Sequence, residues 1–112
     1  MPLPTPSTPK CCTTPAVAPP IRVQEDQEFA ALAQALAHPA RVRILRFLLA
    51  QKECLAGDLQ AEVGLSAATV SQHLKRLKET GWVRGEVDGP RRCYCLNPET
   101  RDRFHSLVEG LL

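Results

Sequence analysis

The chain has 112 residues, a formal net charge of +2 and 44% hydrophobic residues. This length predicts one domain, and the sequence contains no apolar run near the roughly 20 residues of a membrane-spanning helix. The N-terminus also lacks the basic patch and apolar stretch of a secretory signal. We therefore expect a cytoplasmic protein with no membrane partner.

Proline dominates the first part of the chain, since seven of the ten prolines lie within residues 1–20. Such a segment carries too little apolar surface to offset the entropy cost of ordering it. We predict that residues 1–24 form a flexible arm, which carries Cys11 and Cys12, and that residues 25–112 form the folded domain. A domain of this size often gains stability from a partner subunit.

Apolar residues at helical spacing then predict four consecutive helices. Their approximate ranges are 25–37, 39–50, 55–63 and 67–80. Pro39 suits the first turn of the second helix, where a missing N–H group costs nothing. Gly64 favours the left-handed backbone that ends a helix, and Ser66 is a good N-cap for the fourth helix. The short connection between the third and fourth helices indicates that they cross steeply, with the fourth helix presented outward.

A β-hairpin and a last helix follow. Residues 82–87 alternate as in a strand, residues 88–90 form an Asp-Gly-Pro turn, and residues 92–96 predict the return strand. Pro98 then opens a helix. The order α-α-α-α-β-β-α predicts a mainly α fold with a small β-hairpin, the winged helix-turn-helix. The first and last helices carry apolar stripes that so thin a domain cannot cover, which favours a homodimer through these two helices.

The outer face of the fourth helix is polar and basic, and residues 66–92 carry six basic groups against three acidic ones. A local positive field followed by a hairpin is typical of a surface that binds double-stranded DNA. Gln72 can pair with adenine in the major groove, and basic side chains can contact phosphates. The predicted DNA-binding residues are Ser66, Thr69, Ser71, Gln72, His73, Lys75 and Arg76 on the helix, with Arg91 and Arg92 beyond the wing turn. The alternative is a solvated polar face on a module that does not bind DNA.

Several stretches of the sequence resemble the ArsR-type metal-sensing repressors. Residues 36–45 (LAHPARVRIL) resemble the second helix of that family, residues 65–77 (LSAATVSQHLKRL) its recognition helix, and residues 81–83 (GWV) and 94–98 (YCLNP) its wing and exit. The resemblance implies a homodimer paired through the first and last helices, which occupies an operator in its ligand-free form and leaves the DNA when a ligand binds. Two-fold symmetry would place two recognition helices about 34 Å apart on an inverted repeat.

Five cysteines, an odd number in a chain expected to be cytoplasmic, indicate thiols for metal or redox chemistry. Three soft thiolates favour trivalent arsenic or antimony, and four favour tetrahedral zinc or cadmium. One family pattern is a Cys-x-Cys on the third helix, but the matching positions here hold Leu55 and Gly57. A family variant that joins two arm cysteines to one near the third helix resembles Cys11, Cys12 and Cys54. That resemblance implies a trivalent arsenic or antimony ligand held by three thiolates.

The remaining cysteines leave alternatives open. Cys93 and Cys95 lie on the same side of the return strand and could hold one ion. A soft divalent metal such as cadmium, lead or zinc is another ligand class for the thiols. Oxidation of Cys11 and Cys12, or of Cys93 and Cys95, would instead make a thiol redox switch with no metal.

Two other kinds of site are predicted to be absent. A second family site on the last helix binds zinc through aspartate and histidine; Asp102 and His105 are present, but the second pair is missing. The sequence also shows no paired carboxylates, phosphate-binding loop or anchored Cys–His set. We therefore predict that the protein is not an enzyme and requires no cofactor.

Overall fold

The computed structural model describes residues 18–51, 54–56, 59–89 and 92–112. Their elements are α1 (Val23–Ala35), α2 (Pro39–Ala50), β1 (Leu55–Ala56), α3 (Gln60–Val63), α4 (Ala67–Glu79), β2 (Val83–Glu86), β3 (Cys93–Leu96) and α5 (Pro98–Leu111). This mainly helical fold with an antiparallel β2–β3 hairpin confirms the predicted winged helix-turn-helix class. In the described ranges, no helix combines the length and the apolar character needed to cross a membrane.

The segment before α3 differs from its prediction. Apolar spacing predicts a helix over residues 55–63, but Leu55 and Ala56 form strand β1, and α3 comprises only Gln60–Val63. β1 pairs antiparallel with β3, Leu55 opposite Tyr94, so the sheet formed by the described residues has three strands in the order β1-β3-β2. A short apolar run fits a strand as well as a helix. The prediction was wrong because only the distant partner strand decides between the two.

The other elements begin and end within two residues of their predicted positions, because their end signals are local. Pro39 is the first residue of α2, as its missing N–H group favours. Gly64 adopts a left-handed backbone with φ +70° between α3 and α4. Ser66 caps α4, its Oγ accepting a 3.2 Å hydrogen bond from the Thr69 N–H group. These signals set the direction in which α4 leaves the turn.

The hydrophobic core lies between α1, α2, α4 and the sheet. Tyr94, Ile44 and Leu74 are among its fully buried side chains, and each buried side chain of this kind contributes about 1.5–3 kcal/mol to folding. Trp82 Nε1 donates a 3.0 Å hydrogen bond to the Leu32 carbonyl, which joins the start of the wing to α1. The core therefore holds α4 and the wing in a defined relation to each other.

α1 and α5 pack against each other but leave apolar surface open. The rings of Phe29 and Phe104 meet edge to face with centroids 5.6 Å apart, and Arg103 Nη2 lies 2.7 Å from Glu28 Oε1. The whole of α5 is described, and none of its residues is buried; Leu111 is 72% exposed. An apolar surface of this kind is typical of a contact with another subunit.

Replacing Ser66 with alanine is expected to lower the free energy of unfolding by about 1 kcal/mol. The change removes the hydroxyl that caps α4 and leaves the Thr69 N–H group without that acceptor. Urea unfolding followed by circular dichroism measures the effect. Gln72→Ala, at an exposed residue within α4, is the control and should change stability by less than about 0.5 kcal/mol. Equal stability of the Ser66 variant and the wild type would contradict this role for the cap.

Candidate nucleic-acid interface and thiol cluster

The outer face of α4 projects away from the core. Val70, Leu74 and Leu77 are buried on the inner side of the helix. At about 100° per residue, Gln72 and Lys75 lie on the opposite side, and both side chains are exposed. The helix therefore presents an amide and a cation outward, directly before the hairpin.

The two basic groups on the outer face of α4 make exposed ion pairs. Lys75 Nζ lies 3.4 Å from Asp88 Oδ1 in the wing turn, and Arg76 Nη1 lies 3.5 Å from Glu79 Oε2. Exposed pairs of this kind contribute only about 0–1 kcal/mol. A DNA phosphate can therefore replace either carboxylate at little cost, and both cations are suited to contact the DNA backbone.

Three more of the predicted DNA-binding residues, on α4 and at its cap, contact other side chains of the protein. Ser66 Oγ, the cap of α4, donates a 2.9 Å hydrogen bond to Thr69 Oγ1. The His73 ring packs on the His38 ring with centroids 4.5 Å apart. These contacts give the three side chains a structural role in addition to the predicted role on DNA. Ser71, a fourth member of the predicted set, is half-buried.

The wing carries further basic groups. Arg92 Nε donates a 3.3 Å hydrogen bond to the Gly89 carbonyl and so stabilises the turn of the hairpin. Arg84 is exposed on β2. The other predicted wing contact, Arg91, lies outside the described residues, and its role stays a prediction.

His73 lies where α4 packs against the start of α2. Its pKa is lowered below the ordinary value, chiefly by burial and further by the charges of His38 and Arg41. The His38 ring is held in place because its Nδ1 accepts a 3.1 Å hydrogen bond from the Ala40 N–H group at the start of α2. A proton on His73 therefore disfavours the packing of α4 against α2.

We expect the domain to become less stable as the pH falls below 6.5, the ordinary pKa of histidine. Below that pH, His73 binds a proton more readily in the unfolded chain than in the folded domain. The free energy of unfolding therefore decreases as the pH falls, until the pH passes the lowered pKa of His73 in the folded domain. Urea unfolding between about pH 7.5 and 5.5 measures this dependence. His73→Gln should flatten it, and an unchanged slope in that variant would assign the dependence to another group.

A row of side chains crosses one face of the three-stranded sheet. The β2–β3 register places Arg84 opposite Cys95, and continuing the β1–β3 register by one residue places Cys54 on the other side of Cys95. Cys95 also lines one groove together with Cys54 and Arg84. Cys93 is exposed and lies two residues before Cys95, on the same face of the strand.

Of the Cys54 and Cys95 thiols, that of Cys95 ionises more readily. The interaction with the Cys54 thiol lowers the pKa of Cys95, and the Arg84 guanidinium lowers it further. The same interaction raises the pKa of Cys54, and partial desolvation adds to that effect. The pair therefore favours a thiolate on Cys95, with one proton kept on Cys54.

Of the three cysteines in the predicted thiolate set, only Cys54 belongs to the described residues, and its side chain is exposed. Cys11 and Cys12 lie outside the described residues. Within the described ranges, no group of three His, Cys, Asp or Glu side chains is arranged to hold a metal ion. A three-thiolate site on this surface would therefore need at least one ligand beyond them.

The acidic and histidine side chains on α5 have neighbours of their own. Asp102 Oδ1 accepts a 3.2 Å hydrogen bond from Arg101 Nε, and His105 Nδ1 lies 3.5 Å from Glu109 Oε1. All of these side chains are exposed.

The contact between Cys54 and Cys95 is not predicted by the sequence. Spacing alone assigns the two cysteines to separate ligand sets, one near the third helix and one on the return strand. Their pairing depends on β1, which lies in a stretch where the apolar spacing predicts a helix. The sequence feature that could have predicted part of this arrangement is the alternation around Tyr94. A buried Tyr94 places both neighbouring cysteines on the opposite face of the sheet.

Comparisons with known proteins agree with this geometry. Residues 38–84 match the model of the family described as bacterial regulatory protein, arsR family. The HTH-type transcriptional regulator YgaV of Escherichia coli (strain K12) is 37% identical over 73 residues, which cover 65% of this chain and 74% of YgaV. The biofilm growth-associated repressor of Agrobacterium fabrum is 37% identical over 84 residues, which cover 75% of this chain and 68% of that protein.

A solved structure shows the same fold. The homodimeric winged helix-turn-helix DNA-binding domain of Mb0332 from Mycobacterium bovis aligns with a TM-score of 0.56, at 24% identity, over 85% of this chain and 89% of that domain. The family-model match begins just before α2, includes α3 and α4, and ends in β2. The matched residues therefore contain the whole helix-turn-helix.

Proposed function

The chain belongs to the arsR family of bacterial regulatory proteins, and on that basis we propose that it is a repressor controlled by a metalloid. In this proposal the ligand-free protein binds operator DNA and releases it when trivalent arsenic or antimony binds cysteine thiolates, in the cytoplasm as the sequence predicts. The family is one of DNA-binding transcriptional regulators, which confirms the prediction that the chain is not an enzyme. One of its relatives is itself named a repressor.

The outer face of α4 is the observation that carries the proposal. Gln72 is exposed at its centre, and a glutamine amide can make two hydrogen bonds to an adenine edge in the major groove. Lys75 and Arg76 flank it with exposed cations. Because Lys75 also pairs with Asp88 in the wing turn, the helix and the wing form one continuous surface for DNA.

The α1–α5 surface supports a homodimer. Beyond the open face of α5, Ile21 before α1 is 88% exposed and Leu112 after α5 is 97% exposed. The Mb0332 domain, which shares this fold, is homodimeric. A two-fold axis at this surface would present two copies of α4 to an inverted repeat, about one turn of DNA apart.

The position of Cys54 supports control by a thiolate ligand. Cys54 directly precedes β1, which leads into α3, the first helix of the helix-turn-helix. A metalloid that joins Cys54 to Cys11 and Cys12 of the arm would change the balance between DNA-binding and non-binding arrangements of the dimer. Only the difference in ligand affinity between the two states weakens DNA binding, and about 2–3 kcal/mol of such coupling gives roughly a 30–150-fold effect.

Titration of an operator complex with arsenite tests the proposal. The operator is selected from random duplex DNA with the purified full-length chain, and binding is followed by fluorescence anisotropy in a phosphine reductant free of thiols. We expect arsenite to release the wild-type protein, and Cys54→Ser and the double variant Cys11→Ser/Cys12→Ser to stay bound. Cys93→Ser, at an exposed cysteine on β3, is the control and should respond like the wild type.

The same titration separates the metalloid from the redox alternative. Arsenite binding leaves all thiols reduced, so release must persist under excess reductant. Release by peroxide alone, reversed by the reductant, would contradict the proposal and favour a thiol redox switch.

A further inference from the structure

We propose that Cys54 and Cys95 form a preorganised dithiol that binds trivalent arsenicals as a two-sulfur chelate, whether or not the arm cysteines take part. The site lies on the outer face of the sheet, between β1 and the wing strand β3. It pairs Cys95 with Cys54, whereas the sequence pattern pairs Cys95 with Cys93. Its effect on DNA rests on the proposed function, but the binding site itself does not.

The strand register is the first support for this site. Continuing the pairing of Leu55 with Tyr94 by one residue places Cys54 opposite Cys95, and both side chains line the same groove. Cys95 lies within β3, and Cys54 directly precedes Leu55, the residue of β1 that pairs with Tyr94. Little additional ordering is therefore needed when a ligand joins the two sulfurs.

The spacing of paired strands favours an atom between the sulfurs over a direct disulfide. Side chains directly opposite each other on antiparallel strands have Cβ atoms about 4.5–5.5 Å apart. A disulfide requires the two Cβ atoms to lie closer together, about 3.8 Å apart. Bonds of about 2.3 Å from two thiolates to one soft ion hold the sulfurs roughly 3.5 Å apart, which the wider spacing accommodates.

Ligand exchange at arsenic joins the two sulfurs in two steps. The Cys95 thiolate attacks arsenic and displaces hydroxide, which takes the proton of Cys54 and leaves as water. The Cys54 thiolate then displaces a second hydroxide, which leaves as water after taking a proton from solvent. Two As–O bonds are exchanged for two As–S bonds, arsenic stays trivalent, and no oxidant is consumed. Arg84, which lies opposite Cys95 in the strand register and lines the same groove, provides a positive charge beside the attacking sulfur.

A groove beside the two thiols indicates which arsenicals fit. Its volume is about 260 Å³, and Leu48, Leu49 and Pro98 contribute apolar surface to it. A monosubstituted arsenical has two exchangeable hydroxyl groups and one organic group. The hydroxyl groups match the two thiols, and the organic group can occupy the apolar side of the groove. Inorganic arsenite would use the same two sulfurs and take its third from the arm.

Phenylarsine oxide, which condenses with two thiols, tests the site directly. The experiment uses the full-length chain with Cys11→Ser and Cys12→Ser, so that Cys54, Cys93 and Cys95 are the only thiols left. Each remaining cysteine is then changed to serine in turn. Binding is measured by titration in the phosphine reductant, and the adduct is identified by intact mass spectrometry.

We expect the Cys93→Ser variant to bind phenylarsine oxide as tightly as its parent, and the Cys54→Ser and Cys95→Ser variants to bind at least tenfold more weakly. Cys93 is the matched control because it lies on the same face of the same strand as Cys95. Full affinity after loss of Cys54 would assign binding to Cys93 and Cys95 and overturn the inference. Equal loss in all three variants would also overturn it. Circular dichroism of each variant verifies that the fold is kept.

The two proposals can fail separately. If phenylarsine oxide binds Cys54 and Cys95 but no arsenical releases the operator, the dithiol stands and the proposed regulation fails. If arsenite releases the operator and Cys95→Ser changes neither release nor arsenical binding, the regulation stands and the dithiol is overturned.

Discussion

Replacing Gly85 with alanine is expected to lower the free energy of unfolding by about 3 kcal/mol or more, the sum of overpacking and left-handed strain. A Cβ added at Gly85 would lie 2.2 Å from the Cys93 carbonyl oxygen and 2.9 Å from the Tyr94 Cα. Both contacts are with the backbone of the paired strand, which cannot move aside without breaking the hairpin. The φ of +109° at Gly85 adds strain that a side chain would increase.

Gly89→Ala is the matched control for this prediction. Gly89 also has a positive φ, +83°, but a Cβ added there meets no described atom within 4 Å. Gly89→Ala should lower the free energy of unfolding through backbone strain alone, by about 1–2 kcal/mol. Urea unfolding followed by tryptophan fluorescence measures both variants, since Trp82 lies at the start of the hairpin. Equal destabilisation of the two variants would contradict the proposed clash.

Replacing Gln72 with alanine is expected to weaken operator binding by about 1–3 kcal/mol, which is roughly 5–150-fold. Gln72 is exposed on the side of α4 opposite the buried Val70 and Leu74, so the change should leave stability nearly unaltered. The loss comes from hydrogen bonds to a base edge, and it should therefore be largest at one base pair of each half-site.

Binding to operators substituted one base pair at a time measures this effect. Gln34→Ala, at an exposed glutamine on α1, is the matched control and should bind like the wild type. If Gln72→Ala weakened binding to every sequence equally, its side chain would contact the DNA backbone rather than a base.

Local signals account for the parts of the fold that the sequence predicts well. Pro39 and Ser66 mark the starts of α2 and α4, and Gly64 marks the turn between α3 and α4. Each signal acts within a few residues, through a missing N–H group, a capping hydroxyl or a left-handed backbone. The outward face of α4 follows from the same periodicity that buries Leu74.

Non-local pairing accounts for what the sequence does not predict. Leu55 is apolar and fits a helix until β3 supplies its backbone partners. Because Cys54 precedes that strand, its contact with Cys95 depends on the same pairing. The packing of His73 on His38 joins two helices and leaves no mark in the spacing of either. The predicted set of DNA-binding residues therefore mixed outward side chains with side chains that also hold the fold together.

The coupling between the thiols and the DNA is tested most directly by measuring the affinity of arsenite for the free protein and for the operator-bound protein, under reductant. Ligand and operator must weaken each other by the same factor, because the coupling free energy is shared by both sites. We predict that the operator-bound protein binds arsenite about 30–150-fold more weakly than the free protein. Equal affinities would show that the thiols do not control DNA binding and would contradict the proposed function.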